Sequence, residues 1–182
     1  MSYTEREENL IVFASFEELS ERVKHNLLFE CRDDAERLSY AVKNLTLGVY
    51  NTVEKKFRDG IYRTQCLEAL EKRGIKCVTY FSENYPETLK NIDDPPIVLY
   101  CKGNINLLKS NCFSIVGSRR TSATALALCK KISEELTEVF TVVTGMAEGA
   151  DSSAIEGAVS SGKVISCLLT VSIISTPQPT GD

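Results

Sequence analysis

The segment between Cys112 and Gly145 constrains the fold most, because two short apolar runs flank a helical pattern there. Phe113–Val116 and Phe140–Val143 are rich in β-branched and aromatic residues, which is typical of buried strands. Each run is closed by a nearby glycine, Gly117 in the first case and Gly145 in the second. A strand, a glycine turn, a helix and a second strand predict a βαβ unit with a right-handed crossover.

Between the two runs, apolar residues recur at steps of three and four residues, which predicts an amphipathic helix from Ser122 to Val139. The predicted buried face consists of Ala125, Cys129, Ile132, Leu136 and Val139. Hydroxyl side chains before the helix are candidate N-caps. These candidates are Ser118, Thr121 and Ser122, and the pattern does not choose among them.

Ligands of βαβ units bind at the carboxyl ends of the strands, where this chain has residues 117–120 and 144–147. Glycine lets the backbone approach a ligand closely, and free N–H groups at a helix start favour an anion. Arg119 can add a bidentate charged contact. These features predict a phosphate site, although ordinary turns with two solvated arginines share the pattern. The chain contains neither G-x-G-x-x-G nor G-x-x-x-x-G-K-[ST], the dinucleotide and P-loop motifs.

The distribution of charge singles out the same segment. The net charge is −4, with 14 basic and 18 acidic side chains in residues 1–94 and one basic and seven acidic in residues 134–182. Residues 95–133 carry six basic side chains and no acid. Local potential matters more than total charge for an anionic polymer. The segment is therefore a candidate nucleic-acid contact, unless its cations merely solvate a helix face.

Composition excludes several classes of protein. A length of 182 residues, 43% hydrophobic and 25% charged, is typical of one soluble domain or of one domain with a small appendage. We find no run of eighteen apolar residues and no signal peptide, and expect a cytoplasmic protein without membrane contact. Seven cysteines without a C-x-x-C pair predict reduced, mostly buried thiols. His25 is the only histidine, so neither a zinc site nor another metal or cofactor is expected.

The first 74 residues have a helical pattern that predicts three or four short helices. Residues 1–9 are polar and are expected to fray. Ser15 is a candidate N-cap, and Gly74 is predicted to end the last helix. Lys76–Phe81 and Ile97–Tyr100 follow as strand candidates.

After the βαβ unit, a further helix is expected to begin near Gly149, with Asp151 or Ser152 as its cap, and to end at Gly162. Its expected buried side includes small and branched apolar residues. Lys163–Val171 is predicted to be the last strand and to lie at the edge of the sheet.

Five motifs occur in a fixed order between about residues 75 and 165. They are Tyr85-Pro86 with Leu89; Asp94-Pro95-Pro96-Ile97-Val98-Leu99-Tyr100 with Gly103; Ile115-Val116-Gly117-Ser118-Arg119; Thr144-Gly145-Met146-Ala147-Glu148-Gly149-Ala150-Asp151; and Gly157-Ala158-Val159. In this order and spacing they resemble the DNA-processing protein A family, also known as DprA or Smf. Five ordered motifs are far more specific than any one of them alone.

The resemblance implies an extended Rossmann-like domain that binds single-stranded DNA, displaces single-strand-binding protein and loads the RecA recombinase during natural transformation and recombination. It also implies a homodimer. It assigns a contact with the DNA phosphates to Arg119 and places the Gly145 loop beside that residue. The predicted phosphate-binding residues are Gly117, Ser118, Arg119, Arg120, Ser122, Gly145, Met146 and Ala147, with Lys109 as a further helper.

The chain departs from the family pattern at two places. Ile155 stands where the family has histidine. After Leu169 the chain lacks the motif G-x-G-[LI]-D-x-x-Y-P-x-x-N with which the family continues. We therefore expect a C-terminally truncated or frameshifted member, or a fragment, without the second half of the DNA pocket and without the family's dimer surface.

Together these observations predict an α/β protein with a Rossmann-like domain, a parallel sheet in a three-layer αβα arrangement, and a small helical N-terminal region. The expected domains are a helical region at 1–74, an incomplete Rossmann-like domain at 75–171 and a disordered tail at 172–182. The predicted function is single-stranded DNA binding without enzymatic chemistry. The alternatives are an inactive remnant or interaction module, and an enzyme that cleaves nucleoside monophosphates, whose P-G-G-x-G-T-x-x-E loop is absent.

Overall fold

The computed structural model describes residues 3–30, 40 and 43–168. The chain divides into two compact units, the first of which runs to Gly103 while the second begins at Asn104. The sequence analysis placed the domain boundary between residues 74 and 75, whereas the first unit of the structure also includes the two strand candidates after Gly74. The predicted disordered tail, 172–182, lies outside the described residues.

Helices dominate the first unit. They are α1 (Glu5–Ala14), α2 (Glu21–His25), which continues into a π-helix at Asn26–Glu30, α3 (Leu47–Arg58) and α4 (Gly60–Lys72). Helix α4 is followed, as predicted, by Gly74 in a left-handed conformation, with its N–H donating to the Glu71 carbonyl at 2.9 Å. No helix in the described part of the chain is long and apolar enough to cross a bilayer.

Helix α1 begins earlier than the sequence analysis expected, because a capping box holds its first turn. Thr4 Oγ1 accepts the Glu7 N–H at 3.3 Å, and the Glu7 carboxylate accepts the Thr4 N–H at 3.0 Å. The expected fraying is therefore wrong from Thr4 onward. Ser15 is the C-cap of α1 and not an N-cap, and Ser20 caps α2 instead.

The two strand candidates pair with each other inside the first unit. Strands β1 (Lys76–Thr79) and β2 (Val98–Cys101) are antiparallel, with Thr79 opposite Val98. Their buried side chains join those of α1 and α4 in one apolar cluster, which explains why the division of the chain falls after β2. The fully packed members are Leu10, Ile11, Cys66, Leu70, Cys77, Ile97 and Val98.

The second unit contains the predicted parallel sheet. Its elements are a 3-10 helix (Ile105–Lys109), β3 (Cys112–Ser114), α5 (Ala123–Leu136), β4 (Thr141–Thr144), α6 (Ala150–Ala158), a 3-10 turn (Val159–Ser161) and β5 (Val164–Ser166). The strand order β3-β4-β5 is parallel, with Phe113 beside Val142 and Val142 beside Val164. This confirms the three neighbouring parallel strands, and β5 lies at the edge of the described sheet. Residues 169–171 of the predicted last strand lie outside the described residues.

Helices α5 and α6 pack closely through small residues. Both crossovers lead to the next strand in the same direction, so both helices lie on one face of the sheet. A Cβ atom on Gly157 would lie 2.2 Å from the Lys130 carbonyl oxygen. Ser133, which is fully buried, donates its hydroxyl to the Ala154 carbonyl at 2.6 Å. Backbone proximity and this hydrogen bond therefore hold the helix pair together.

This packing overturns part of the predicted buried face of α5. The helix buries the stripe that contains Ser133, whereas Ala125 is exposed, Ile132 is 43% exposed and Val139 is 69% exposed. The reason is that α6 presents small residues to α5, and Ser133 packs against them at short range. The apolar stripe faces an open groove of about 230 Å³ beside Ile115.

The cysteines are less buried than expected. All six described cysteines are free thiols, of which Cys66 and Cys77 are buried whereas Cys112 and Cys167 are exposed. Burial raises the pKa of the Cys77 thiol to about 12. The sequence could not distinguish a cysteine on the open face of a sheet from one in a core.

Alkylation of the native chain with iodoacetamide should therefore label Cys112 first among the described cysteines, because its thiol is exposed, and Cys167 next, because desolvation raises the pKa of that exposed thiol and the thiolate is the reactive form. Cys66 and Cys77 should react only after denaturation. Peptide mass spectrometry at successive times measures the order, and early labelling of Cys77 would contradict the described core.

Replacing Gly157 by alanine should lower the free energy of unfolding by about 1–3 kcal/mol, because the added methyl group forces α5 and α6 apart. Gly48→Ala in α3 is the matched control, since nothing lies within 4 Å of the added Cβ. The control should be neutral or stabilising by up to about 1 kcal/mol. Urea unfolding of both variants measures the difference, and equal effects would argue against close helix contact.

Candidate nucleic-acid interface

The two glycine loops lie on neighbouring strands at the carboxyl edge of the parallel sheet. Residues 117–120 follow β3, and residues 145–149 follow β4, which is adjacent to β3. The Ile115 N–H donates to the Val143 carbonyl at 2.9 Å and continues the pairing almost to the first loop. The topology thus brings together the two segments that the sequence analysis selected.

Ser118 shapes the first loop through its side chain. Its Oγ accepts the Arg120 N–H at 3.1 Å and donates to the Arg120 carbonyl at 2.8 Å. Within the described part of the chain, the backbone N–H groups of Gly117, Ser118 and Arg119 have no acceptor, and all three residues are exposed. Consecutive backbone donors without an acceptor, close to a helix start, are able to bind an anion.

Backbone contacts lock the second loop to the first. The Ala150 N–H donates to the Ser118 carbonyl at 3.2 Å. Gly149 has a φ of +89°, and a Cβ there would lie 2.4 Å from the Ser118 carbonyl oxygen and 2.7 Å from that of Arg119. A Cβ on Gly117 would in turn lie 2.6 Å from the Cβ of Ala150. Glycine is required at both positions because the two chain segments touch.

The start of α6 also restricts Gly145. A Cβ on Gly145 would lie 2.6 Å from a carboxylate oxygen of Asp151, a buried residue in the first turn of the helix. The helix dipole stabilises a carboxylate at this position. Neither predicted cap is used, because the N-cap is Gly149 and Ser152 donates its hydroxyl to the Gly149 carbonyl at 2.9 Å. Beside Gly145, the buried hydroxyl of Thr144 has no partner among the described residues.

Of the three candidate caps of α5, the structure uses Ser122. Its hydroxyl accepts the Ala125 N–H at 3.2 Å, so Ser122 supports the site by fixing the helix start. Helix α5 has 14 residues, and its positive end follows the first loop directly. The helix dipole therefore adds to the attraction of the loop for an anion.

The exposed cations of the two loops lie on the first loop. Arg119 and Arg120 are exposed and form no ion pair among the described residues. Lys130 and Lys131, by contrast, pair with Glu156 at 3.3 Å and with Glu135 at 3.9 Å on the helix surface. For these two lysines the structure agrees with the alternative given above, that cations of this segment solvate a helix face. Two acidic residues lie at the second loop, the exposed Glu148 and the buried Asp151 beside Gly145.

Of the predicted residues, Met146 and Ala147 lie at this edge and Lys109 does not. Met146 is 61% exposed on the second loop, and the Ala147 carbonyl accepts the Ser152 N–H at 3.2 Å. Lys109 ends the 3-10 helix before β3, at the amino end of that strand and therefore at the opposite end of the sheet. Lys109 was predicted as a helper from its charge alone, and the charge of a residue does not indicate at which end of the sheet the residue lies.

Sequence reasoning missed the position that joins the loops, Gly149. A glycine before a helix is an ambiguous signal, because it also occurs in open turns. Only the folded structure shows that position 149 needs glycine, because the carbonyl groups of Ser118 and Arg119 contact it there. Within residues 3–30, 40 and 43–168, no group of three or more His, Cys, Asp or Glu side chains comes together to hold a metal ion. Donor N–H groups and guanidinium groups suit a phosphate.

A family model described as DNA recombination-mediator protein A matches residues 76–180, more than half of the chain. The chain belongs to this family. The match begins at β1 and extends beyond residue 165, the approximate limit of the resemblance seen in the sequence. It includes both glycine loops and α5, so the candidate site lies within the family domain.

Three known proteins are similar to parts of this chain. The DNA processing protein DprA of Bacillus subtilis (strain 168) is 36% identical over 87 residues, 47% of this chain and 29% of that protein. DprA of Streptococcus pneumoniae (strain ATCC BAA-255 / R6) is 36% identical over 78 residues, 43% of this chain and 28% of that protein. Protein Smf of Borreliella burgdorferi is 31% identical over 97 residues, 53% of this chain and 31% of that protein. The chain thus matches less than a third of the length of each relative.

The X-ray structure of DNA processing protein A from Streptococcus pneumoniae is similar in fold, with a TM-score of 0.57 and 21% identity. The superposition covers 91% of this chain and 58% of that chain. It confirms the Rossmann-like fold class and the helical N-terminal region.

Gly149→Ala should disrupt the loop pair, because it combines an unfavourable φ with a clash against two carbonyl groups. Gly162→Ala is the matched control in the same unit, since Gly162 has a φ of +70° but nothing within 4 Å of the added Cβ. The control should lose about 1–2 kcal/mol of unfolding free energy from backbone strain, and Gly149→Ala should lose more. Chemical unfolding measures both, and an equal loss would show that the loops do not touch.

Proposed function

We propose that this member of the recombination-mediator family binds single-stranded DNA through its phosphates at the two glycine loops. The observation that carries the proposal is the arrangement of Arg119 and Arg120, unpaired among the described residues, beside the free N–H groups of Gly117 and Ser118. Both groups recognise phosphate oxygens, and neither distinguishes one base from another. Binding should therefore depend only weakly on sequence.

Several features support a nucleic acid over a small anion. The first loop is exposed throughout and the second is exposed at Met146 and Glu148, whereas sites for small molecules are usually enclosed clefts. The longest segment without acidic residues, 95–133, contains the first loop. The choice of single strands over duplexes comes from the family resemblance alone, whereas the names of the relatives, DNA processing proteins, agree with DNA as the ligand.

The chemistry of the loops supports binding without catalysis. The hydroxyl of Ser118 is engaged with the Arg120 backbone, and Asp151 is buried at the start of α6. A hydrolytic site would need a nucleophile beside a general base. From the family resemblance we further propose that the chain is a binding protein of the cytoplasm that delivers single-stranded DNA to the RecA recombinase in transformation and recombination. RecA and a second copy of the chain are proposed partners, to which no described residue is assigned.

Arg119→Ala should weaken binding of unrelated single-stranded oligonucleotides by similar factors, because the arginine contacts phosphate. The slope of log affinity against log salt should become less steep by about 0.7–1 unit, since one phosphate fewer is neutralised. Arg119→Lys should recover only part of the affinity, because it keeps the charge but removes the planar fork. Fluorescence anisotropy at several salt concentrations measures the unmodified chain and both variants.

The matched control is Lys131→Ala, which removes an exposed cation of the same unit that is already paired with Glu135. Its affinity and salt slope should equal those of the unmodified chain. Unchanged affinity in Arg119→Ala would remove this residue from the site. Absence of binding at low salt would support the inactive-remnant alternative.

A further inference from the structure

The first unit contains an aromatic cluster that the glycine-loop site does not use. The ring centroids of Phe29 and Tyr80 are 4.5 Å apart, those of Tyr80 and Phe81 are 5.3 Å apart, and those of Phe29 and Phe81 are 6.1 Å apart. The rings come from the π-helix and from the segment after β1, so only the fold brings them together. Phe81 remains 45% exposed at the surface of the cluster.

Two cations lie over these rings. The guanidinium carbon of Arg6 is 3.9 Å from the centroid of the Phe81 ring, and the Lys90 ammonium is 5.4 Å from that of Tyr80. Lys90 is bound to Glu87 at 2.8 Å, whereas Arg6 is exposed and has no ion pair among the described residues. Arg6 and Phe81 thus form an exposed pair in which a guanidinium group lies over an aromatic ring.

We infer that Arg6, lying on the Phe81 ring, forms a stacking site for an unpaired nucleobase of single-stranded DNA, which would lie on the side of the guanidinium group away from the ring. Unstacked bases bind to aromatic rings and to guanidinium planes, and every base has a face that can stack. A protein partner could also cover an exposed phenylalanine, but it would not require a guanidinium group over the ring. The inference rests on the proposed function, which supplies single-stranded DNA as the ligand. It concerns residues outside the glycine loops, and the interaction is base stacking and not phosphate binding.

The charges around the cluster indicate stacking and not phosphate attraction. Residues 1–94 have more acidic than basic side chains, and Glu7 and Glu87 lie beside the cluster, bonded to Ser82 and Lys90 at 2.8 Å each. A phosphate contact would lose strength with salt, whereas base stacking is largely insensitive to it. The two sites can therefore be distinguished by their salt dependence.

Phe81→Leu should weaken binding of a single-stranded oligonucleotide about fivefold, because it keeps an apolar side chain but removes the aromatic ring on which the Arg6 guanidinium lies. The factor should be equal at low and high salt, in contrast to that of Arg119→Ala. Phe81→Trp should bind at least as tightly as the unmodified chain. The matched control is Phe57→Leu, since Phe57 is 37% exposed in the same unit and contacts Phe16 outside the cluster.

The chain contains no tryptophan, so Phe81→Trp also introduces a specific fluorescent reporter. Its emission should be quenched by the oligonucleotide and not by an abasic strand of equal length, which has the same phosphates but no bases. Quenching should persist at higher strand concentration when Arg119→Ala is added. Thermal unfolding of each variant shows that the fold is retained.

The outcomes separate the two sites. Normal affinity in Phe81→Leu, or unchanged tryptophan emission while the chain binds DNA, overturns the stacking site and assigns the surface to another partner. Normal affinity in Arg119→Ala together with a loss in Phe81→Leu overturns the glycine-loop site alone. If the unmodified chain binds no oligonucleotide at any salt concentration, both are overturned.

Discussion

The candidate interface depends on one contact between backbones, that of Gly149 with the carbonyl groups of Ser118 and Arg119. Because no side chain separates the two loops, the N–H of Ala150 reaches the Ser118 carbonyl at 3.2 Å. The first loop is thereby held in a shape in which several backbone donors have no acceptor among the described residues. A larger residue at position 149 would separate β3, which leads into the first loop, from α6, which follows the second. The contact therefore couples the sheet, the helix start and the surface that carries Arg119.

Small residues have the same role in the packing of α5 on α6. Gly157 and Ser133 allow the backbones to approach, and the hydroxyl of Ser133 satisfies the Ala154 carbonyl at short range. This arrangement fixes the start of α5 at Ser122 in relation to the loops. It also leaves Leu128 57% exposed, so that the helix is held by backbone proximity more than by burial of large side chains.

The distribution of charge along this chain matters more for the candidate interface than its net charge does. The net charge of −4 would oppose an anionic polymer, but it is distributed so that the first loop lies in a segment without acids. Lys130 and Lys131 are neutralised by neighbouring carboxylates, whereas Arg119 and Arg120 are not paired in the described structure. The two interactions proposed for single-stranded DNA differ in kind: phosphate attraction at the glycine loops and base stacking at Arg6 and Phe81. The first decreases with salt and the second does not, so affinity would persist over a wider range of ionic strength than charge alone allows.

The sequence by itself determined the parallel strands, the two glycine loops and the membership of the DNA recombination-mediator family, because these depend on local periodicity and on short motifs in a fixed order. It also located the end of α4 at Gly74, where a left-handed residue is a local requirement. The tertiary structure decided what depends on contacts between distant residues. These are the packing of β1 and β2 on helices of the first unit, the exposed stripe of α5, the position of Lys109 at the far end of the sheet and the aromatic cluster around Phe81. Periodicity shows that a helix has an apolar face, but which face is buried depends on the shape of the neighbour, and a single sequence does not contain that shape until it is folded.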